Sequence, residues 1–338
     1  MNRFSAWRLL ASAWKIFVLR RRLPLLVTMR VTHRCGFRCV YCHFDQMPLP
    51  DPSTEEIKRI ILQARAAGAL KFGFSGGEPL ARADIGELIR TAADAGLATT
   101  LTSNGWSVPE RIDALQHLDI LVLSLDGMKE THDRQRKKGS FDKVLAACRL
   151  CRARGIKVLG LTVLTRHNLQ EVEPLLAVAE QEGFWQIFQP VESRDFFRAE
   201  LDDIAPEPAA FRATIDALIA AKKAGRPVYN SFAYLEFLKK WPHPSLFADR
   251  CWAGRISCVI NTDGALLPCN NLTTIDTFGN TLRDPFATAF SALGHYRCQG
   301  CWTNCYQENN LLMNVDPRAV QAAIARVWWA MTRRKRRG

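Results

Sequence analysis

The strongest constraint on the fold of this chain is a regular alternation of strand-like and helix-like segments across its N-terminal half. Short apolar runs of strand length occur at Leu25–Thr32, Leu70–Phe74, Ala98–Thr102, Ile120–Leu125, Lys157–Leu164 and Gln186–Val191. Segments with helical periodicity separate them, at Thr54–Ala67, Asp84–Ala95, Pro109–Leu118, Phe141–Arg154 and Leu169–Gln181. Nearly continuous apolar strands separated by helices indicate a parallel sheet covered on both faces. Six such strands predict an α/β fold, a partial (βα)6 barrel of the TIM type.

Segments rich in polar residues and cysteine follow each of the six predicted strands. They span residues 34–42, 75–79, 103–105, 124–127, 165–168 and 189–192. Ligands of such folds bind at the carboxyl ends of the parallel strands. We therefore expect these six segments to meet at one mouth of the barrel.

The first of these segments contains three closely spaced cysteines, Cys35, Cys39 and Cys42. A tetrahedral zinc site requires a fourth ligand, which His33 or His43 would have to supply. Three thiolates on a short loop can instead hold three irons of a [4Fe–4S] cube and leave the fourth iron open. The ligand spacing alone leaves both interpretations open.

The loop CGFRCVYC, with Tyr41 just before its last cysteine, resembles the signature of the radical SAM superfamily. The resemblance extends over Leu25–Val191, about half of the chain. It implies that Cys35, Cys39 and Cys42 ligate a [4Fe–4S] cluster whose open iron binds S-adenosylmethionine (SAM) through its amino and carboxylate groups. One electron from the reduced cluster then cleaves SAM to a 5′-deoxyadenosyl radical, which abstracts hydrogen from a substrate.

The segment SGGEP resembles a second motif of that superfamily, and the resemblance implies a SAM-binding role for residues along the mouth. Glycine permits close approach of the backbone to a ligand, and a carboxylate suits the methionyl ammonium. The motif residues are Gly76, Gly77, Glu78 and Pro79. Candidates for the ribose hydroxyls and the methionyl carboxylate are Ser103, Asn104, Ser124 and Asp126. Candidates for adenine contact are Thr165, Asn168 and Gln189. Ordinary turn chemistry at strand ends is the alternative for Ser103, Asn104, Ser124 and Asp126.

Six further cysteines lie near the C-terminus, at positions 251, 258, 269, 298, 301 and 305. The stretch CVINTDGALLPC predicts a β-hairpin that turns at Asp263–Gly264. This region resembles the SPASM or twitch extension of radical SAM enzymes, which implies an auxiliary [4Fe–4S] cluster on Cys251, Cys258, Cys269 and Cys305. Cys298 and Cys301 hold part of a second cluster or no metal. Two clusters ligated fully by thiolates would need eight cysteines, so one auxiliary cluster is expected, with structural zinc as the alternative.

The charge of the chain is concentrated at its two ends. The net charge is +13, but residues 1–44 contain 9 basic and no acidic residues, and residues 317–338 contain 7 basic and no acidic residues. Apolar residues recur there at helical spacing, at Phe4, Trp7, Leu10, Trp14, Phe17 and Val18, and at Val320, Ile324, Val327, Trp328 and Met331. Such helices suit the surface of an anionic membrane. The alternative interpretation is that the first helix packs under the barrel and the last helix is a solvated tail. Nucleic acid is not expected as a partner, because it accounts less well for the tryptophans.

The amino-acid composition limits which class of protein this is and which cellular compartment it suits. No apolar run approaches the roughly 20 residues that cross a bilayer. Eleven cysteines in closely spaced groups favour metal binding in a reducing cytosol over a secreted disulfide framework. Cys148 and Cys151 lie within a predicted helix and are interpreted as packing residues. The expected divisions are a basic helix (1–23), a core barrel (24–195), a helical connector (196–250), an auxiliary-cluster region (251–312) and a basic tail (313–338).

These features predict a radical SAM enzyme, cytoplasmic or peripheral at the inner face of the cell membrane, that takes electrons from a flavodoxin or ferredoxin. Its substrate is a peptide or protein, or a lipid or lipid-linked molecule. The alternative is a non-enzymatic zinc or Fe–S scaffold that binds an anionic partner. No catalytic acid or base is identified in the sequence. Glu192, Tyr234 and Tyr306 are candidates to face the substrate.

Overall fold

The computed structural model describes residues 6–42, 44, 49–192, 201–242, 251–271, 279–293, 298 and 300–332. Its strands are β1 (Leu26–Thr32), β2 (Lys71–Gly76), β3 (Ala98–Ser103), β4 (Ile120–Ser124), β5 (Lys157–Leu164), β6 (Trp185–Pro190), β7 (Ser257–Ile260) and β8 (Leu266–Leu267). They form one sheet in the order β6-β5-β4-β3-β2-β1-β7-β8. Strands β1 to β6 are parallel, neighbour by neighbour. The predicted six-stranded parallel arrangement is confirmed.

Helices connect the strands and cover the sheet. They are α1 (Ala6–Phe17), α2 (Thr54–Ala66), α3 (Ile85–Asp94), α4 (Val108–Arg111), α5 (Lys129–Gln135), α6 (Ser140–Ala153), α7 (Val172–Glu182), α8 (Leu201–Ile204), α9 (Pro208–Lys223), α10 (Phe232–Leu238), α11 (Phe286–Ser291), α12 (Asn304–Met313) and α13 (Pro317–Thr332). The helix predicted at Pro109–Leu118 is shorter in the structure, because the chain tightens into a 3₁₀ turn at Ile112–Leu115. Helix α5, which the sequence analysis did not predict, follows β4.

Helix α2 shows how local sequence determines an element. The Ser53 hydroxyl accepts from the backbone N–H of Glu56, and the Glu56 carboxylate accepts from the backbone N–H of Ser53 at 2.7 Å. This capping box satisfies two donors that a helix start otherwise leaves without partners. Residues Ile57, Ile60, Ile61 and Ala64 then fall on one face of the helix and are buried. The capping box thus fixes where α2 begins, after the cysteine loop that follows β1.

The predicted hairpin in the cysteine-rich region is present, and it extends the main sheet. Strand β7 pairs in parallel with β1, with Leu26 opposite Ser257 and Met29 opposite Ile260. Strand β8 then returns antiparallel to β7. Gly264 has a positive φ of 81° in the turn, a backbone conformation that glycine adopts without strain. The C-terminal cysteines are therefore anchored beside the strand that leads into the first cysteine loop.

Both terminal helices lie against the amino ends of the barrel strands, the end opposite the mouth. The Arg8 guanidinium of α1 donates to the carbonyls of Gly96 and Ala69, which precede β3 and β2, at 3.0 and 3.1 Å. The Lys157 ammonium, at the first residue of β5, donates to the Trp329 carbonyl of α13 at 3.0 Å. Phe4, the side chain of Met331 and the basic run at 333–337 lie outside the described residues. No helix in the described ranges has the length and apolarity needed to span a membrane.

Candidate functional site

The three-cysteine loop begins where β1 ends and is fixed there by the motif that ends β2. The backbone N–H of Gly77 donates to the Thr32 carbonyl at 2.8 Å, and the N–H of Glu78 donates to the Arg34 carbonyl at 2.9 Å. Parallel pairing of β1 with β2 brings the two strand ends together. The SGGEP segment therefore supports the first residues of the loop that carries Cys35, Cys39 and Cys42.

This contact requires glycine. A Cβ at Gly76 would lie 2.3 Å from the Thr32 carbonyl oxygen, and Gly76 has a φ of +134° that other residues rarely adopt. A Cβ at Gly77 would lie 2.5 Å from the Arg34 carbonyl oxygen and 2.7 Å from that of His33. Because these obstacles are backbone atoms, the loop itself would have to move to admit a side chain.

We expect Gly77→Ala to displace the cysteine loop and to lower the iron that the protein retains there. Overpacking of this kind costs about 1–3 kcal/mol of folding free energy. The measurement is iron content after anaerobic reconstitution, together with the thermal midpoint. Gly36→Ala is the matched control, because Gly36 lies in the same loop and nothing lies within 4 Å of the added Cβ. Equal iron content in the two variants would contradict the supporting role of Gly77.

Glu78 joins the ends of β2 and β3. Its carboxylate accepts from the Ser103 hydroxyl at 2.9 Å, the Asn104 N–H at 2.8 Å and the Leu80 N–H at 3.1 Å. Burial raises the pKa of this carboxyl above its ordinary value, although these three donors favour the charged form. A carboxylate offers about four acceptor positions. Donors of the protein therefore occupy most of the acceptor positions of Glu78, which was expected to bind the methionyl ammonium of SAM. Ser103 and Asn104 are thus positioned by Glu78.

A buried cluster of Tyr41, Asp126 and Arg136 connects the cysteine loop to the end of β4. The Arg136 Nε donates to Asp126 Oδ2 at 2.5 Å, and both groups hydrogen bond to the Tyr41 hydroxyl. The other oxygen of Asp126 accepts from the Val163 N–H at 2.9 Å. Burial alone would lower the pKa of Arg136, but Asp126 raises it above its usual range and keeps the guanidinium charged. Asp126, predicted to bind SAM, therefore anchors the loop.

The remaining candidate SAM-binding residues hydrogen bond to other groups of the protein or lie at the end of a strand. The Asn168 amide donates to the carbonyls of Asp126 and Val163 at 2.6 and 2.8 Å, and its oxygen accepts from the Thr165 N–H. The hydroxyl of Thr165 donates to Gln135 at 3.0 Å, so neither buried side chain is positioned to contact adenine. The Gln189 oxygen accepts from the Asn304 N–H of α12 at 3.1 Å. Ser124 ends β4 and is buried.

The chemistry of the loop fits a metal cluster held by thiolates. Burial raises the pKa of Cys39 to about 12, and the charge of Arg136, whose Nη1 lies 3.9 Å from the sulfur, offsets this only in part. A metal that withdraws charge from the sulfur removes this cost. His33, one candidate for a fourth zinc ligand, hydrogen bonds to Asn261 at 3.2 Å, and His43 lies outside the described residues. Within the described ranges, no three His, Cys, Asp or Glu side chains are arranged to hold a single metal ion.

Four of the C-terminal cysteines form a second group, which we call the four-thiol group: Cys251, Cys269, Cys298 and Cys301. The thiols of Cys251 and Cys298 hydrogen bond to each other, and Cys269 packs with Cys301. Amide donors point at three of the sulfurs: Asn310 at Cys251 (3.6 Å), Gln307 at Cys301 (3.2 Å) and the Gly300 N–H at Cys298 (3.3 Å). Hydrogen bonds to sulfur are typical of iron–sulfur ligands. The donor set fits one auxiliary cluster.

The four-thiol group differs from the expected set of ligands, which included Cys258 and Cys305. Cys258 lies on β7 within the main hydrophobic core, where burial alone raises its pKa. It points away because neighbouring residues of a strand alternate between its two faces. Cys305 lies on α12, where burial among the surrounding side chains raises the pKa of its thiol to about 11 and the charge of Lys71 offsets this in part. Cys148 and Cys151 are buried in the main core.

Glu192, just after β6, holds the C-terminal region against the barrel. Its carboxylate accepts from the Asn271 amide at 2.7 Å, from the Thr303 hydroxyl at 3.1 Å and from the Trp302 N–H. Tyr234 is fully buried and donates to the Trp302 carbonyl at 2.6 Å, so it does not face a substrate. Tyr306 accepts from the Asn270 N–H at 2.7 Å beside the four-thiol group.

Sequence reasoning missed Arg136 and assigned no role to the hydroxyl of Tyr41. Arg136 directly follows α5 in a stretch of basic residues, and nothing in that pattern distinguishes one arginine from its neighbours. The signal that points to it is its position shortly after the end of β4, where the other mouth residues of that strand lie.

Comparisons with known proteins identify the same superfamily as the sequence motifs do. A family model described as the radical SAM superfamily matches residues 29–179. The PqqA peptide cyclase of Ruegeria pomeroyi is 31% identical over 269 residues, covering 75% of this chain and 69% of that protein. The AdoMet-dependent heme synthase of Methanosarcina barkeri is 26% identical over 288 residues, covering 78% of this chain and 81% of that protein.

Solved structures of other proteins share the fold. SuiB of Streptococcus suis bound to S-adenosylmethionine superposes with a TM-score of 0.68 at 16% identity, covering 90% of this chain and 78% of that one. The enzyme anSMEcpe with bound AdoMet and the Cp18Cys peptide superposes with a TM-score of 0.65 at 18% identity, covering 89% and 99%. At these identities the likeness concerns the fold alone.

Proposed function

The chain belongs to the radical SAM superfamily, and from that membership we propose that it oxidises a side chain of a peptide or protein. The observation that carries the proposal is the pairing, in one chain, of a three-cysteine loop at the barrel mouth with the four-thiol group beside it. A relative that is 31% identical over 75% of this chain is named as a peptide cyclase.

Each part of the mouth has a separate task. Cys35, Cys39 and Cys42 would hold a [4Fe–4S] cluster, which when reduced supplies the electron that cleaves SAM to a 5′-deoxyadenosyl radical. Gly76 and Gly77 set the backbone of the loop, and Glu78 fixes the ends of β2 and β3 around the SAM position. Arg136 presents a buried positive charge beside Cys39, which favours the thiolate form.

The four-thiol group would hold one auxiliary [4Fe–4S] cluster, a second redox centre within the same chain. Asn310, Gln307 and the Gly300 N–H supply the hydrogen bonds to its sulfurs. Such bonds set the reduction potential of an iron–sulfur centre. A peptide radical formed at the mouth must lose one more electron to give an oxidised product, and a nearby second centre suits that need. A flavodoxin or ferredoxin is the proposed external electron donor.

The test is an anaerobic assay of the reconstituted protein with SAM, dithionite and synthetic peptides from short reading frames beside this gene. We expect 5′-deoxyadenosine to form, a matching peptide to raise its yield, and that peptide to lose hydrogen by mass spectrometry. Stimulation by phosphatidylglycerol vesicles but by no peptide would favour a lipid substrate. Zinc in place of iron after anaerobic preparation, with no SAM cleavage, would instead support a non-enzymatic scaffold that binds an anionic partner.

A further inference from the structure

Helix α1 is inverted relative to an ordinary surface helix. Its inward face carries Arg8, Ser12 and Ile16, which lie one turn apart, and Arg8 reaches the carbonyls of Gly96 and Ala69. The opposite stripe is apolar and exposed: Trp7 (81%), Leu10 (62%), Trp14 (54%), Phe17 (50%) and Val18 (61%). A globular helix normally turns its apolar stripe toward the core. Here the hydrophobic effect disfavours the observed orientation in water unless something covers the stripe.

Helix α13 packs Ala319 and Val327 toward the protein, as an ordinary surface helix does, but it too exposes large apolar side chains. Its Arg326 turns inward, where the guanidinium donates to the Glu308 carboxylate at 2.9 Å and to the Tyr229 carbonyl at 2.8 Å. Ile324 and Trp328, one turn apart, are exposed to 66% and 68%. Two helices from opposite ends of the chain therefore both direct an arginine toward the protein and expose tryptophan.

The two exposed stripes lie at the same end of the barrel. Arg8 binds residues that precede β2 and β3, and Lys157, which binds α13, is the first residue of β5. The amino ends of these parallel strands share one edge of the sheet. We call this end, with the outward faces of α1 and α13, the floor of the barrel.

The floor is also positively charged. Lys15, Arg20 and Arg21 are exposed at or just beyond the end of α1. No acidic residue occurs before Asp45 or after Asp316 in the sequence. Within α13, Arg318 and Arg326 pair with Asp316 and Glu308, so the basic charge exposed at the floor comes mainly from the end of α1. Tryptophan and basic residues on one face suit the interface of an anionic bilayer, where the indole rests at the level of the headgroups.

We propose that the floor of the barrel docks on an anionic lipid bilayer through the exposed stripes of α1 and α13. The basic residues supply attraction to anionic headgroups, and the tryptophans and leucine supply insertion into the interface. This proposal is independent of the proposed chemistry. It also orients the enzyme: the mouth, at the carboxyl ends of the strands, faces the aqueous phase, so a substrate arrives from water.

The experiment is co-sedimentation of the full-length holoprotein with vesicles of equal parts phosphatidylglycerol and phosphatidylcholine. We expect binding that weakens as salt is raised, and little binding to vesicles of phosphatidylcholine alone. The variant Trp7→Ser/Leu10→Ser/Trp14→Ser should lower the partition coefficient by at least about tenfold, because each lost side chain removes interfacial burial. Trp328→Ser should lower it by a smaller factor.

Leu62→Ser is the matched control, since Leu62 is exposed to 54%, as Trp14 is, but lies on α2 at the side of the barrel. It should bind vesicles as the parent does. Three results would overturn the proposal: a parent that does not bind the anionic vesicles, a triple variant that binds as well as Leu62→Ser, or a lipid-free dimer that the triple variant dissociates in sedimentation velocity. Binding to duplex DNA that the triple variant leaves unchanged, without vesicle binding, would assign the basic ends to nucleic acid instead.

Discussion

Replacing Cys35, Cys39 and Cys42 together with alanine is expected to reduce 5′-deoxyadenosine formation to the level of a protein-free control. The three thiols follow β1 as one loop, and within the described part of the chain the neighbouring His33 is already hydrogen bonded to Asn261. If the four-thiol group holds its own cluster, the triple variant retains about half of the parental iron. The measurements are product yield by chromatography and iron content per protein.

Two further variants serve as controls for this experiment. Replacing Cys251, Cys269, Cys298 and Cys301 with alanine should remove the other half of the iron while SAM cleavage persists. Cys148→Ala/Cys151→Ala should keep both, because these thiols are packed in the main core. Undiminished 5′-deoxyadenosine from the triple variant would refute the assignment of the loop, and loss of all iron in it would refute a separate auxiliary centre.

Arg136→Gln is expected to destabilise the protein strongly and to loosen the cysteine loop. Asp126 is fully buried, and Arg136 is its paired charge at 2.5 Å. Removing one partner of a buried pair leaves an uncompensated charge, which typically costs about 3–5 kcal/mol. We expect a thermal midpoint lower by about 5–10 °C and reduced iron at the loop, because Tyr41 loses one of its two partners.

Arg154→Gln is the control, because Arg154 pairs with Asp113 at 2.7 Å on the surface and both side chains are largely exposed. Exposed pairs contribute about 0–1 kcal/mol, so its midpoint should barely move. The double variant Asp126→Asn/Arg136→Gln removes both charges and should recover part of the loss. If Arg136→Gln were as stable as Arg154→Gln, the buried pair would not be what holds the loop.

Much of the architecture could be predicted from hydrophobic periodicity and from the positions of turn residues. The six parallel strands were predicted because apolar runs of strand length alternate with amphipathic helical segments, and short-range rules govern both. The hairpin that turns at Gly264 was predicted for the same reason, since its turn residues lie between two apolar runs. The cysteine loop and the SGGEP turn were predicted as neighbours because parallel strands carry their carboxyl ends to one edge.

Contacts between residues distant in sequence could not be predicted in this way. Asp126 and Asn168 look available for a ligand in the sequence, yet Arg136, Tyr41 and backbone groups already occupy them. Spacing grouped Cys258 and Cys305 with the other ligands, whereas the side-chain alternation of β7 points Cys258 into the core. Hydrogen-bond satisfaction is a property of the folded environment, which a linear pattern does not specify.

The sequence by itself determined that this chain forms a parallel barrel with thiols at its mouth and amphipathic helices at its ends, because periodicity and ligand spacing are local properties. Only the tertiary structure decided which way those helices face. The apolar stripe on α1 is compatible with either a buried or an exposed orientation. The exposed orientation is stabilised by the hydrogen bonds that Arg8 donates to the carbonyls of Gly96 and Ala69 at the barrel floor. Those partners lie more than 60 residues away along the chain, and only folding brings them within reach.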